Sequence, residues 1–362
     1  MTRLNVDPAR AFLNEGVAVR AFPAAAVEVG TDRQVLWREA FGALFYDPSA
    51  PATTPDTIFD LASLTKVIVT TSLAMRQVDA GGLSLDDVVA DRISEWRGHD
   101  RETVTVRDLL AHASGLTAWL PLFRDYAGRR EYQHAIATLA LEYAPRTQSI
   151  YSDLGFMLLG FILEDAGRQP FSEQGTALVA ELGIEPLAFQ PPATWRERIA
   201  PTEVDPWRGR QLVGEVHDEN CWALGGAAGH AGLFGSVVAV GQFAQRMLQA
   251  LASAPASDSP RLASNATLRE FLTKSRVPGS SRALGWDTML PTSSCGSRMS
   301  SEAFGHTGFT GTSLWIDPVS NVYVVLLTNR VHPTRKNEAI RPIRARLHDA
   351  IMESLGKNEQ EV

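Results

Sequence analysis

The ten residues Leu61-Ala-Ser-Leu-Thr-Lys-Val-Ile-Val-Thr70 combine a serine, a lysine three positions later and an apolar run. Two interpretations of this stretch are open. In the first, Ser63 caps the amino end of a helix and Lys66 lies on its exposed side. In the second, both side chains share one face of the helix, and the ammonium group activates the serine hydroxyl. A four-residue pattern alone favours the first interpretation, because such patterns recur by chance.

Composition restricts the classes of protein to consider. The chain has 362 residues, of which 44% are hydrophobic and 21% are charged, as expected of a soluble globular protein with a sizeable core. Its net charge of −7 provides no basic face for nucleic acid and no polybasic segment for a membrane. The two cysteines, Cys221 and Cys295, are too few for a disulfide framework. We expect two buried thiols, although a single bridge between them stays open.

The amino terminus lacks the basic start and apolar run of a secretory signal, and no apolar run reaches membrane-spanning length. We therefore expect a cytoplasmic protein without a membrane span, or a periplasmic or secreted one if a leader precedes this sequence.

Periodicity places strands and helices in the first half of the chain. The alternating runs Ala24–Gly30 and Gln34–Gly42 predict a hairpin. A helix is predicted from Ser63 to Ala80, where Gly81-Gly82 ends it. The run Leu154–Leu163 is apolar on all sides, which a helix tolerates only when it is surrounded by protein.

The second half returns to strands. The predicted elements are a helix at Val237–Leu251, a loose stretch at Ser253–Ser264, strands at Ala283–Thr288, Gly311–Asp317 and Val322–Thr328, and a helix at Asn337–Leu355. Strands at both ends with helices between predict an α+β fold, in which helices flank one antiparallel sheet and a mostly helical domain is inserted. We expect residues 1–95 plus 225–362 to form the sheet domain, residues 96–224 the inserted domain, and the active site to lie in the cleft between them.

Two further motifs decide between the interpretations of Ser63. Tyr151-Ser-Asp153 opens the buried helix, and His306-Thr-Gly308 precedes a strand. In this order, Ser-x-x-Lys, Tyr-x-Asn/Asp and Lys/His-Thr-Gly, the chain resembles the serine penicillin-recognising superfamily. The similar branch holds class C β-lactamases, D-alanyl-D-alanine carboxypeptidases, D-aminopeptidases and β-lactamase-like esterases. The resemblance covers residues 20–355 and implies a β-lactamase/transpeptidase-like fold.

The resemblance also implies a role for each motif residue. Ser63 would be the nucleophile that forms an acyl-enzyme, with Lys66 and Tyr151 sharing the work of general base and general acid. The backbone N–H groups of Ser63 and Phe309 would form the oxyanion hole, and Gly308 would let the strand approach the substrate closely. This chemistry needs no metal and no cofactor.

Two residues depart from the common pattern, and both affect substrate choice. Asp153 stands where asparagine is common, and its carboxylate should hold Lys66 charged, which favours Tyr151 as the proton acceptor. His306 replaces the lysine typical of class C β-lactamases, and a neutral imidazole attracts a substrate carboxylate less strongly than an ammonium does. We expect both side chains, with Thr307, to contact substrate, and we do not expect efficient β-lactam hydrolysis.

The resulting hypothesis is a serine hydrolase that acts on a small ester or amide, with esterase-like activity favoured. The alternatives are a D-amino-acid-specific peptidase or D-alanyl-D-alanine carboxypeptidase acting on a peptide, and a weak class C-like β-lactamase. A non-catalytic binding protein with this fold is the alternative from another class.

Other residues carry weaker hypotheses. The histidines His112, His217, His230 and His332 show no zinc-motif spacing, so core or turn roles are favoured for them. Five aromatic side chains could line a pocket for an apolar acyl group, although core packing is favoured for all except the last: Trp119, Trp222, Trp286, Trp315 and Phe309. Arg330 either pairs with a substrate carboxylate or ties a strand end to a helix.

Overall fold

A computed structural model describes residues 4–252 and 261–359 of the chain. Its helices are α1 (Asp7–Ala18), α2 (Ser72–Asp79), α3 (Val89–Arg92), α4 (Val106–Leu110), α5 (Gly128–Thr138), α6 (Asp153–Gly167), α7 (Phe171–Glu181), α8 (Glu219–Ala223), α9 (Val237–Leu251), α10 (Asn265–Leu272) and α11 (Ile340–Glu359). A π-helix at Lys66–Thr71 leads into α2, and 3₁₀ turns lie at Leu122–Arg124 and Ala193–Arg198.

The strands are β1 (Ala24–Gly30), β2 (Val35–Gly42), β3 (Phe59–Asp60), β4 (Leu187–Phe189), β5 (Val204–Asp205), β6 (Arg210–Gln211), β7 (Leu233–Gly235), β8 (Asp287–Thr288), β9 (Phe304–Thr307), β10 (Ser313–Asp317) and β11 (Val322–Thr328). Six of them form one antiparallel sheet in the order β2-β1-β11-β10-β9-β8. Ala25 in β1 lies opposite Thr328 in β11, so the sheet takes strands from both ends of the chain. The predicted α+β fold with an antiparallel sheet is confirmed.

Both faces of the central strands are buried, because helices cover the sheet on each side. Alternate residues of β1 and β11 point to opposite faces, as the pleat requires. Val27 and Leu326 pack with α1 and α11 in one apolar cluster, whereas Ala26 and Val325 pack with α9 in another. The strands therefore have an almost continuous apolar sequence.

The second of these clusters continues from the sheet into the helices of the middle of the chain. Leu109 of α4 and Phe156 of α6 belong to the same cluster as Val325. In addition, β4, from the middle segment, pairs with β7. The two segments thus share one core, and the division into domains at residues 95/96 and 224/225 stays a prediction.

Several elements differ from their predicted bounds. The helix predicted from Ser63 begins at Leu64, because Ala62 and Ser63 form a turn, and it continues through the π-helix into α2. Of the strand predicted at Ala283–Thr288, only the last two residues pair with β9. Helices α1, α5, α7 and α10 and strand β9 have no counterpart in the predictions. Residues 253–260 of the predicted loose stretch lie outside the described residues.

Within residues 4–252 and 261–359, none of the helices combines the length and the apolar character that crossing a bilayer requires.

Candidate active site

Ser63 lies in a tight turn between β3 and the π-helix. The carboxylate of Asp60 accepts a hydrogen bond from the N–H of Ala62 at 2.9 Å, and the hydroxyl of Thr65 donates to the carbonyl of Ala62 at 2.7 Å. Ala62 itself has a φ of 47°, which is unfavourable for a residue with a Cβ and is typical of functional sites. These contacts fix the backbone on which the serine is presented.

Lys66 is fully buried, so the interpretation that places it on an exposed helix face is wrong. Its ammonium nitrogen donates to three oxygens: Ser63 Oγ at 3.0 Å, Asp153 Oδ1 at 2.7 Å and the carbonyl of His230 at 3.2 Å. Burial alone would lower the pKa of Lys66, but the charge of Asp153 and the hydrogen bond to its carboxylate raise this pKa above its ordinary value. Lys66 is therefore an ammonium ion at neutral pH.

The start of α6 brings the tyrosine motif to the lysine. Ser152 caps this helix by accepting from the N–H of Gly155 at 3.2 Å, and its hydroxyl donates to the carbonyl of Thr117 at 2.7 Å. The N–H of Asp153 donates to the carbonyl of Ala118 at 2.9 Å. A carboxylate at the first turn of a helix is also favoured by the helix dipole. These contacts hold the side chain of Asp153 beside Lys66.

Tyr151 faces two cations. The Lys66 nitrogen and the Arg282 guanidinium carbon each lie 4.8 Å from the centre of its ring. Burial raises the pKa of Tyr151, and the charge of Lys66 with hydrogen bonds from Lys66 and Ser63 offsets this only in part. The resting side chain is a neutral phenol, and its phenolate is a minor form.

His306 lies within β9 and is buried, with its ring centre 5.7 Å from that of Tyr151. Its Nδ1–H donates to the carbonyl of Thr307 at 2.8 Å, which leaves Nε2 as the free acceptor. Burial, followed by the charges of Arg282 and Lys66, holds the pKa of His306 well below its usual range. The imidazole is therefore neutral.

The loop after β9 lies directly against the serine turn. A Cβ on Gly308 would lie 2.6 Å from the carbonyl oxygen of Leu61, so only glycine fits. The hydroxyl of Thr312 donates to the same oxygen at 3.0 Å. Within residues 4–252 and 261–359, the N–H groups of Ser63 and Phe309 donate to no protein acceptor. Two free N–H groups beside a serine are what an oxyanion hole requires.

These groups line a cleft of about 560 Å³. All of the predicted site residues except the buried Lys66 line it: Ser63, Tyr151, Asp153, His306, Thr307, Gly308 and Phe309. Lys66 reaches Ser63 from beneath the cleft floor. The cleft is also lined by charged side chains that the sequence analysis did not assign to it: Asp218, Glu219, Arg282, Asp287, Arg335, Glu338, Arg341 and Arg344.

Arg282 is the most informative of these additional residues. Its Nε lies 3.4 Å from Asp287, and its Nη1 is buried and has no hydrogen-bond partner among the described residues. No motif marks Arg282 in the sequence. Arg282 lies in the loop before β8, where it forms a β-bridge with Asp287, a residue that pairs with β9.

The weaker sequence hypotheses resolve individually. The four histidines bond to protein groups: His112 Nδ1 accepts from Ser152 N–H, and the other three contact Glu203, Asp218 and the carbonyl of Thr202. Across the described ranges no group of side chains is arranged to hold a metal.

Trp286 and Trp315 are core residues, whereas Trp119, Trp222 and Phe309 are exposed. Arg330 binds the carbonyl of Phe309 at 2.8 Å, and both cysteines are buried free thiols.

Comparisons with known proteins agree with this geometry. The family model described as Beta-lactamase matches residues 9–348. A protein of Escherichia coli O157:H7 is 31% identical over 351 residues, covering 86% of this chain and 79% of the relative. A protein of Salmonella gallinarum is 30% identical over 361 residues, covering 89% and 82%. Both are provisionally named D-alanyl-D-alanine carboxypeptidase.

Solved structures share the fold. EstCE1, described as a hydrolase with promiscuous acyltransferase activity, superimposes with a TM-score of 0.75 at 19% identity, covering 96% of this chain and 98% of that one. A penicillin-binding protein homologue from Caulobacter crescentus gives a TM-score of 0.75 at 20% identity, covering 96% of each chain.

Proposed function

The chain belongs to the Beta-lactamase family, as its motifs predicted, and is a serine hydrolase; on that premise we propose that it hydrolyses small esters through an acyl-enzyme at Ser63. In this proposal Ser63 is the nucleophile, Lys66 and Tyr151 manage its proton, and the N–H groups of Ser63 and Phe309 bind the oxyanion. Asp153, His306, Thr307 and Gly308 contact or position the substrate.

The charge states of Lys66 and Tyr151 support the following assignment of the proton transfers. Lys66 is already protonated and cannot take the proton of Ser63. The reactive form is the minor one in which Tyr151 is a phenolate facing two cations. As Ser63 Oγ bonds to the acyl carbon, its proton passes to Tyr151 Oη, and the resulting phenol then protonates the departing alkoxide. In deacylation Tyr151 takes a proton from water and returns it to Ser63.

The observation that carries the ester preference is the neutral, buried imidazole of His306. The lysine common at this position in class C β-lactamases would hold a permanent charge for a substrate carboxylate. His306 holds no such charge because its pKa is lowered. An ester without a carboxylate therefore loses little binding free energy at this site. The half-exposed ring of Phe309 also lines the cleft.

Hydrolysis of p-nitrophenyl butyrate by the purified protein tests the proposal. Wild type should turn over the ester, and Ser63→Ala should lose at least about 10³-fold in kcat/KM, as expected when a nucleophile is removed. Ser94→Ala, at an exposed serine, is the matched control and should retain activity. Turnover that persists in Ser63→Ala would contradict the proposal. No turnover and no covalent labelling of Ser63 would favour a non-catalytic binding protein.

A D-alanyl-D-alanine carboxypeptidase is the second candidate, and Arg282 favours it. A guanidinium in the cleft with a free Nη1 is a good partner for the terminal carboxylate of a peptide. The provisional names of the curated relatives point the same way. Release of D-alanine from a D-alanyl-D-alanine peptide, lost in Arg282→Gln and kept in part by Arg282→Lys, would place the peptidase first. Ester turnover without release of D-alanine would leave the esterase first.

A further inference from the structure

Four neighbouring aromatic side chains, of which Phe123 is half-buried and the other three are exposed, lie in a row beside the cleft: Trp119, Phe123, Trp207 and Trp222, here called the aromatic strip. Its three tryptophans are 42%, 43% and 41% exposed, although large aromatic side chains usually bury most of their surface. Exposed apolar surfaces that are contiguous mark binding sites more often than single exposed residues do.

The aromatic strip begins in the active-site cleft, because Trp119 is one of the residues that line it. From there the ring centres follow one another at 6.5 Å to Phe123, 4.6 Å to Trp207 and 5.3 Å to Trp222. Trp222 lines a second, shallower cavity of about 340 Å³. The strip therefore connects the site of acyl transfer to a separate recess.

The inner end of the strip is held in place by Asn220. This side chain is fully buried, and its oxygen accepts from the N–H of Phe123 and from the hydroxyl of Tyr132, each at 3.0 Å. Its amide donates to the carbonyl of Leu120 at 2.9 Å. The backbone on both sides of the inner rings is thus fixed before any ligand binds.

The outer end is held by Arg208. Its guanidinium carbon lies 5.8 Å from the ring centre of Trp207 and 6.0 Å from that of Trp222. The same group is ion-paired with Asp205 and Glu215, and its side chain is only 3% exposed. The cation supports the rings from behind and leaves no unpaired charge facing a ligand.

The charged groups nearest to the strip also have protein partners. Asp218 is hydrogen-bonded to His230 at 2.8 Å, and Glu219 pairs with Arg335 at 2.7 Å. Arg282, with its free Nη1, lies in the loop before β8. An apolar group extending from Ser63 along the strip therefore meets rings and paired charges, which makes its desolvation favourable.

We propose that the aromatic strip is an extended acyl subsite that binds the apolar acyl chain of the ester substrate. Trp119 contacts the part of the chain next to the carbonyl, and Trp222 contacts its far end. The inference rests on the proposed esterase activity and specifies its substrates as esters of long, unbranched acyl groups.

A series of p-nitrophenyl esters from acetate to decanoate tests the subsite. In wild type, kcat/KM should rise about two- to fourfold for each added methylene, since burying one CH₂ contributes up to about 0.8 kcal/mol. In Trp207→Ala and Trp222→Ala, the ratio of kcat/KM for decanoate to that for acetate should fall at least about tenfold, mainly through KM. Trp207→Phe and Trp222→Phe should retain much of the wild-type ratio of kcat/KM for decanoate to that for acetate.

Trp195→Ala is the matched control, because this half-buried tryptophan lines neither cavity. It should leave the decanoate-to-acetate ratio unchanged. A wild-type ratio near one, or an equal fall in the ratio for Trp195→Ala, would overturn the subsite.

Binding to Ser63→Ala separates failure of the subsite from failure of the esterase proposal. Decanoate should quench tryptophan fluorescence of this variant at lower concentration than butyrate does, and Trp222→Ala in the same background should abolish the difference. That result would keep the subsite even if no ester were hydrolysed. Equal quenching by the two acids, or quenching by cellotriose in place of decanoate, would overturn the acyl-chain assignment.

Discussion

The ammonium nitrogen of Lys66 lies 2.7 Å from Oδ1 of Asp153, and this ion pair is formed beneath Ser63 with the lysine fully buried. Breaking a buried ion pair by removing one partner commonly costs about 3–5 kcal/mol. The pair therefore determines both the charge of Lys66 and the stability of the region around Ser63.

Asp153→Asn should increase acylation of Ser63 by benzylpenicillin, by about tenfold. The amide removes a negative charge that repels the substrate carboxylate, and it removes the anion that raises the pKa of Lys66, which makes the amine a better proton acceptor. Intact-mass measurements of the penicilloyl adduct over time give the rate. Asp165→Asn, at the exposed end of the same helix, is the control. An acylation rate equal to that of wild type would show that the charge of Asp153 does not limit acylation by benzylpenicillin.

The pH dependence of ester hydrolysis should reflect Tyr151 and not His306. The pKa of Tyr151 is raised, so the phenolate fraction grows about tenfold per pH unit below that pKa, and kcat/KM should rise with the same slope across pH 7–9. The lowered pKa of His306 keeps the imidazole neutral throughout this range, so it adds no inflection near 6.5. Stopped assays over pH 6–10 measure the profile, and Tyr151→Phe should lose about 10²–10⁴-fold. A profile that falls with rising pH would exclude Tyr151 phenolate as the base.

Gly308→Ala should lower kcat by about 10²-fold with little change in fold. The new Cβ would lie 2.6 Å from the carbonyl oxygen of Leu61, so the turn that carries Ser63 and the loop that carries Phe309 must move apart. Gly356→Ala is the control because nothing lies within 4 Å of its Cβ position. Steady-state kinetics with p-nitrophenyl butyrate and the far-ultraviolet circular dichroism of both variants give the comparison. Full activity in Gly308→Ala would mean that the loop and the turn need not touch.

Stability should fall at acid pH through Glu203. Burial raises the pKa of Glu203, but His217 and Arg335 outweigh burial and lower it to about 2. The stabilisation is complete above the unfolded pKa of about 4.3 and is lost as pH falls through the folded value of about 2, a loss of about 3 kcal/mol. Urea unfolding at several pH values measures it. Glu203→Gln should be less stable at pH 7 and should lose less stability on acidification, whereas Glu131→Gln, at an exposed glutamate, should follow wild type.

The sequence predicts the parts of the site that depend on short-range patterns. Ser63, Lys66 and Tyr151 are recognised from three motifs, and Asp153 was expected to hold Lys66 charged. The single sheet also follows from periodicity, because strands at both ends of the chain with helices between indicate one sheet. A continuous apolar run in β11 and an apolar helix at α6 are each readable in a few residues.

The remainder depends on packing between distant segments. Arg282 lies in the loop before β8, and its approach to Tyr151 depends on how that loop and the two-residue strand β8 pack, neither of which has a distinct sequence pattern. Core packing is the favoured prediction for Trp119 and Trp222, and their exposure depends on how the segments that carry them pack. The π-helix that carries Lys66 likewise has the same apolar composition as an ordinary buried helix.

The pairing of Ala25 with Thr328 has a consequence for biosynthesis. The central strand pair of the sheet cannot form until nearly all of the chain has left the ribosome, and contacts between such distant residues slow folding. A nascent chain that already contains Ser63 and Lys66 still lacks β9, Gly308 and Phe309. It carries the proposed nucleophile without the proposed oxyanion hole, so the candidate site is assembled as one of the last events of folding.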